Sequence, residues 1–130
     1  VDTPEDLTVL ADELQIQRAL KNIVHNAVKF TQQGGYIRIS AERSGTEAVI
    51  AVADNGPGIP PEDLSRVFER FFQVDPARRD GTGLGLAIVR HIVRAHGGRV
   101  WAESIEGQGA TFYIALPLAE AAITDTEVPD

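Results

Sequence analysis

Gly81-Thr82-Gly83-Leu84-Gly85 sets three alternate glycines directly before an apolar run, Leu86-Ala87-Ile88-Val89, that continues at helical spacing to Ala95. Residues without Cβ let the backbone turn with positive φ and come close to a ligand. A helix start adds unpaired N–H groups and the positive end of the helix dipole. This chemistry suits an anion, phosphate first. Two familiar phosphate loops are excluded. A P-loop needs Lys and then Ser or Thr after its last glycine, where this chain has Leu86 and Ala87. A dinucleotide fingerprint needs a glycine at position 86, which is Leu. Two further polar groups stand apart. Asn22, Asn26 and Lys29 fall within roughly 60° of one another on a helix, opposite a stripe of Leu20, Ile23, Val24 and Ala27. Asp54-x-Gly56-x-Gly58 follows an apolar run and combines a carboxylate with glycines.

Periodicity and punctuation give the helices and strands that carry these groups. Leu7–Leu10 reads as a short edge strand and Asp12 as an N-cap, with a helix from Leu14 to Thr31 that stops at Gln32-Gln33-Gly34-Gly35. Tyr36–Glu42 and Ala48–Ala53 read as strands that pair antiparallel across the turn Arg43–Thr46. Asp54–Pro61 is irregular, and Pro61-Glu62-Asp63-Leu64 starts a short helix. Arg66–Thr82 reads as a long loop with Phe68, Phe71 and Phe72 as an aromatic anchor. The helix from Leu84 ends at His96-Gly97-Gly98, and Arg99–Ser104 and Thr111–Leu116 are two more strands. The expected fold is a two-layer α/β sandwich: a mixed five-stranded sheet, about three helices on one face, and a long lid.

With 130 residues and no cysteine, the chain is expected to form a single domain over 1–130, without disulfides or thiolate metal sites. Its core is expected over about 7–117, with an acidic tail at 118–130. The formal net charge of −7 belongs to the ends. Asp2, Glu5, Asp6, Glu120, Asp125, Glu127 and Asp130 lie where there is no Lys or Arg, and the remaining 12 acids face 12 bases. No basic stripe suggests a nucleic-acid surface. No signal peptide and no apolar run of membrane-spanning length is found, which fits a cytoplasmic setting.

Taken in order, Asn22/Asn26/Lys29, Asp54-x-Gly56-x-Gly58, the Phe-rich loop and Gly81-Thr-Gly-Leu-Gly resemble the N, G1, F and G2 boxes of the catalytic and ATP-binding domain of bacterial sensor histidine kinases. The resemblance covers about Leu7 to Pro117 and implies the Bergerat ATP-binding fold, shared with gyrase, mismatch-repair and chaperone ATPases. It implies that Asn26, assisted by Asn22, coordinates Mg²⁺ through a side-chain oxygen. Lys29 would meet a phosphate, and Phe30, where the family commonly has Tyr, would stack on adenine. Asp54 would accept from the adenine amino group and reject guanine, with Gly56 and Gly58 allowing close approach. Phe68 and Phe72 would anchor the lid, and Arg78 or Arg79 would contact the terminal phosphates. Gly81, Thr82, Gly83, Leu84 and Gly85 would hinge the lid and aim amides at phosphate. Gly107-Gln-Gly109-Ala-Thr111-Phe112 resembles the last glycine box, with Thr111 reaching the adenine network.

The activity implied is binding of Mg·ATP and transfer of its γ-phosphoryl group to a histidine on a separate dimerisation domain, then to a response regulator. His25, His91 and His96 are not set in a phosphoacceptor motif of the His-Glu-Leu-Arg-Thr-Pro type, so each is expected to be structural or exposed. The chain is expected to be monomeric and the full-length kinase a homodimer, usually membrane-bound. An ATPase or clamp of the gyrase and chaperone type would need Glu where Asn22 stands, because an amide is no general base. A serine kinase acting on an anti-sigma partner usually lacks the Phe box.

Overall fold

A computed structural model of the chain describes residues 8–31, 34–69, 85–105 and 107–119. The first helix, α1, spans Glu13–Phe30. Its start is set by Asp12, whose Oδ1 accepts from the Gln15 backbone N–H at 3.1 Å, with Glu13 favourable in the first turn. Its end is set by Thr31, whose N–H and hydroxyl both donate to the Ala27 carbonyl, at 3.0 and 2.7 Å. Ala19, Ile23 and Ala27 recur every fourth residue and are buried. Ile16, Leu20 and Val24 pack partly buried beside them.

The second helix, α2, spans Gly85–Ala95 and ends in paired backbone bonds: Gly98 N–H to Val93 O at 2.9 Å and Gly97 N–H to Arg94 O at 3.0 Å. Gly97 takes the left-handed conformation this ending requires, at φ +78°. His96 ties the two helices together. Its Nδ1–H bonds the Ile92 carbonyl at 2.8 Å, and its Nε2 accepts from the Asp12 N–H at 3.1 Å, an arrangement that selects the neutral Nδ1–H tautomer.

The strands are β1 (Ile37–Ser44), β2 (Glu47–Asp54), β3 (Arg99–Ile105) and β4 (Gly109–Pro117), in the spatial order β1-β2-β4-β3. Every pairing among them is antiparallel, so the expected mixed five-stranded sheet is corrected to four antiparallel strands among the described residues. Among the described residues, Val9, in the expected edge strand, makes an isolated antiparallel bridge with Leu118, and the chain turns into the α1 cap at Asp12. The expected third helix is a single 3₁₀ turn, Pro61–Asp63. The packed body runs past Pro117 as far as Ala119. Leu118 is buried, and the N–H groups of Leu118 and Ala119 bond Thr46 O and Thr8 O.

Both helices lie on one face of the sheet. Ile39, Val52, Phe112 and Ile114 point toward them, and Ile23, Val52, Val89, Val93 and Ile114 are fully buried. Each such side chain contributes about 1.5–3 kcal/mol by leaving water. Phe68, from the aromatic anchor, meets Phe112 edge to face with ring centroids 6.1 Å apart. The opposite face carries Trp101 stacked on Tyr113 at 4.9 Å, with Arg99 over Trp101 and bonded to Glu47.

Candidate functional site

β2 ends at Asp54, which pairs with Ile37 and lies on the helix side of the sheet. Asp54 is 7% exposed and is the buried charged residue of the described core. A buried carboxylate needs partners, and its Oδ1 has two: the Gly56 N–H at 2.9 Å and the Ala110 N–H at 3.4 Å. Among the described residues no donor reaches Oδ2. The Asx turn at Asp54-Asn55-Gly56 thus occupies one oxygen and leaves the second as an acceptor for a ligand.

The β3–β4 hairpin closes over this turn. Gly109 has φ +119°, and a Cβ there would run into the Asp54 carbonyl oxygen and lie 3.0 Å from the Asn55 Cα. The Gly107 N–H bonds the Pro57 carbonyl at 2.6 Å. The Ser104 hydroxyl accepts from the Ile59 N–H at 2.7 Å and donates to the Gly109 carbonyl at 2.9 Å. On the other side of the turn, Asn55 Oδ1 accepts from the Tyr36 N–H at 2.8 Å. Gly56 is buried and Gly58 takes φ +78°. Ser104 and Asn55 are the two side chains that sequence reasoning missed. A serine near a strand end and an asparagine in a turn carry no pattern of their own.

Strand alternation corrects Thr111. Ala110 and Phe112 face the core, so Thr111 points to the opposite face of β4, the face that carries Tyr113. The residue of that hairpin that meets the Asp54 carboxylate is Ala110, through its main-chain N–H.

On α1, Asn22, Asn26 and Lys29 are each half-buried. They flank the buried stripe rather than opposing it. At roughly 100° per residue Asn26 lies beside Ala19, and Asn22 and Lys29 lie one step further out. The expectation of an opposite face rested on a stripe of Leu20, Ile23, Val24 and Ala27; the buried contact is centred on Ala19, Ile23 and Ala27, with Leu20 and Val24 at its side. Gly85 opens α2, and a Cβ there would meet nothing within 4 Å, so the described packing does not demand glycine at that position. The Phe30 side chain, Phe72, Arg78, Arg79, Gly81, Thr82, Gly83 and Leu84 lie outside the described residues. His25 and His91 are exposed, and both ring nitrogens of His96 are engaged within the fold. Among the described residues no group of three or more His, Cys, Asp or Glu could hold a metal ion.

Comparison with known proteins gives this geometry its context. The family model described as histidine kinase-, DNA gyrase B- and HSP90-like ATPase matches residues 11–120. The sensor-like histidine kinase SenX3 of Mycobacterium tuberculosis is 46% identical over 132 residues, covering 99% of this chain and 32% of the relative. The sensor histidine kinase WalK of Bacillus subtilis is 46% identical over 120 residues, covering 88% of this chain and 20% of the relative. The chain therefore spans about a third or less of the length of these relatives. Among solved structures, the mycobacterial sensor histidine kinase MprB superposes with a TM-score of 0.79 at 34% identity, covering 91% of this chain and 84% of that one. Full-length ShkA in complex with AMPPNP superposes with a TM-score of 0.77 at 41% identity, covering 88% of this chain and 24% of that one. The chain belongs to the histidine kinase-, DNA gyrase B- and HSP90-like ATPase family, as an ATP-binding domain of its sensor histidine kinase branch.

Proposed function

We propose that the chain is the catalytic half of a two-component kinase. It binds Mg·ATP and donates the γ-phosphoryl group to a histidine on a separate dimerisation domain of the same kinase, from which a response regulator receiver domain takes it. The observation that carries this reading is the divided Asp54 carboxylate, with Oδ1 held by Gly56 and Ala110 and Oδ2 open. An ionised carboxylate only accepts, so it pairs with the adenine amino group and repels the guanine carbonyl. Gly109 leaves the hairpin backbone free to lie against the Asp54 turn.

The remaining roles are assigned from the resemblance and fit the donor set. The amide oxygens of Asn22 and Asn26 suit a hard cation that takes its other ligands from phosphate and water, which agrees with the absence of a carboxylate or histidine cluster among the described residues. Mg²⁺ bound there would neutralise phosphate charge. Lys29 would meet a phosphate oxygen, Phe30 would stack on the base, and Arg78 or Arg79 would face the terminal phosphates. The amides of Gly81–Gly85 would hold them at the start of α2. Asn22 stands where water activation would need a carboxylate, which disfavours an ATPase of the gyrase type. Among the described residues no helix is long and apolar enough to cross a membrane. The ATP requirement puts the domain on the cytoplasmic side of the longer, membrane-bound homodimeric kinase we infer.

Calorimetric titration with a non-hydrolysable ATP analogue, with and without Mg²⁺ and against a GTP analogue, tests the site. Incubation with ATP and a purified dimerisation domain, scored for phosphohistidine, tests the transfer. Selective adenine binding and a labelled histidine are expected. Equal binding of both nucleotides rejects the Asp54 reading, and binding without transfer to any cognate histidine rejects the kinase reading.

A further inference from the structure

We propose that Ser104 is a positioning residue of the nucleotide site: its hydroxyl clamps the Asp54–Ile59 turn onto the β3–β4 hairpin and so fixes where the Asp54 carboxylate points. The inference rests on the nucleotide reading given above. A serine hydroxyl has one proton and two lone pairs. Here the proton goes to the Gly109 carbonyl at 2.9 Å and a lone pair receives the Ile59 N–H at 2.7 Å, so one side chain joins two segments 45 residues apart in the chain. Both bonded residues bear on Asp54. Ile59 is buried and closes the turn that Asp54 opens. Gly109 lies against the Asp54 carbonyl and precedes Ala110, whose N–H holds Oδ1. Without the hydroxyl, the Ile59 N–H loses its acceptor and the hairpin loses its one side-chain tie from β3 to the turn. Two ties made by hairpin backbone N–H groups remain, Gly107 N–H to Pro57 O and Ala110 N–H to Asp54 Oδ1, and neither involves the side chain at position 104. Ser104 thus holds the group that reads the base, through the two backbones it bridges.

The test compares Ser104→Ala and Ser104→Thr with the unsubstituted chain, reading dissociation constants for an ATP analogue and a GTP analogue alongside thermal unfolding. Ser104→Ala is expected to weaken adenine-nucleotide binding roughly tenfold, the scale of one lost hydrogen bond in a buried network, and to narrow the adenine-over-guanine ratio. Ser104→Thr, which keeps the hydroxyl, is expected to restore both. A lower melting temperature with an unchanged adenine-over-guanine ratio would mean a structural role only and overturn the proposal, as would Ser104→Ala binding like the parent. Failure of the parent chain to prefer adenine would instead reject the nucleotide reading itself, before any variant is compared.

Discussion

Ala110 donates its backbone N–H to Oδ1 of Asp54 at 3.4 Å, across 56 residues of sequence. The same oxygen takes the Gly56 N–H at 2.9 Å, so the fold's own demand on this carboxylate falls on one atom. On the proposed reading of the site, stability and recognition fall on different oxygens of one side chain, and a substitution can separate them.

Asp54→Asn is the substitution that does so. With its amide oxygen in the Oδ1 place, Asn keeps both internal bonds and presents an NH₂ where the adenine amino group would donate. Two donors then face each other. Adenine-nucleotide affinity should fall by roughly 2–3 kcal/mol, on the order of 30- to 150-fold, the cost of losing a hydrogen bond to a charged group and leaving its partner unpaired. Melting temperature should change little by comparison. Calorimetry with an ATP analogue reads the first and thermal unfolding the second; unchanged affinity would show that Asp54 does not read the base.

Gly109 should tolerate substitution far less well than Gly107, although both have positive φ, +119° and +84°. A Cβ at 107 meets nothing within 4 Å, so Gly107→Ala is expected to cost only the conformational penalty, about 1–2 kcal/mol. At 109 the Cβ runs into the Asp54 carbonyl, and the hairpin must move off the turn. Gly109→Ala is expected to cost roughly 3 kcal/mol or more and to weaken nucleotide binding as Asp54 shifts. Denaturant unfolding of the two variants side by side decides it, and equal costs would mean the close approach is not rigid.

What was legible in the sequence is what local chemistry decides. Asp12 caps α1 because its side chain reaches the Gln15 N–H three residues on, and the α2 stop follows from glycine at 97. Where long-range packing decides, local reading fell short. The first hairpin could be inferred, and two more strands, but not that β2 and β4 run antiparallel, which depends on how distant parts of the chain pack. The amides of α1 were placed opposite the core because Leu20 and Val24 were counted into the stripe and Ala19 was not, whereas Ala19, at 1% exposure, is buried and Leu20 and Val24 are only partly so. Thr111 was assigned to the site from the resemblance of Gly107-Gln-Gly109-Ala-Thr111-Phe112 to the last glycine box. A register difference of one residue, invisible without the sheet, sends its side chain to the other face and leaves the contact to the Ala110 backbone.

Tyr113, on that other face, should titrate late. Burial first, then the charge of Glu103 and the hydrogen bond to it, raise the phenol above its ordinary 10.0, with the Thr111 hydroxyl pulling the other way. The folded chain holds this proton more tightly than the unfolded one. Its contribution to stability is thus fully present below pH 10.0 and is lost as pH rises through the folded value. The chain has two tyrosines, so Tyr36→Phe leaves Tyr113 as the reporter. Tyrosinate absorbance in that background should give a midpoint above 10.0, and adding Glu103→Gln should bring it down. A midpoint indifferent to Glu103 would assign the shift to burial and the charge of Glu42.

Asn26 is the remaining residue whose chemistry can be isolated. It is half-buried on α1, at nearly the same angle around the helix as Ala19. If its amide oxygen ligates Mg²⁺, Asn26→Ala removes a protein ligand from an ion otherwise held by phosphate and water. Nucleotide binding in the presence of chelator should then match the parent, while the gain in affinity on adding Mg²⁺ should shrink by roughly tenfold, the scale of one lost charge-assisted contact. Asn22→Ala should act in the same direction and more weakly, because Asn22 lies further from the buried stripe. A magnesium titration at fixed ATP analogue measures both. An Asn26→Ala curve that overlays the parent's would remove Asn26 from the metal site and leave the phosphates as the ion's main anchor.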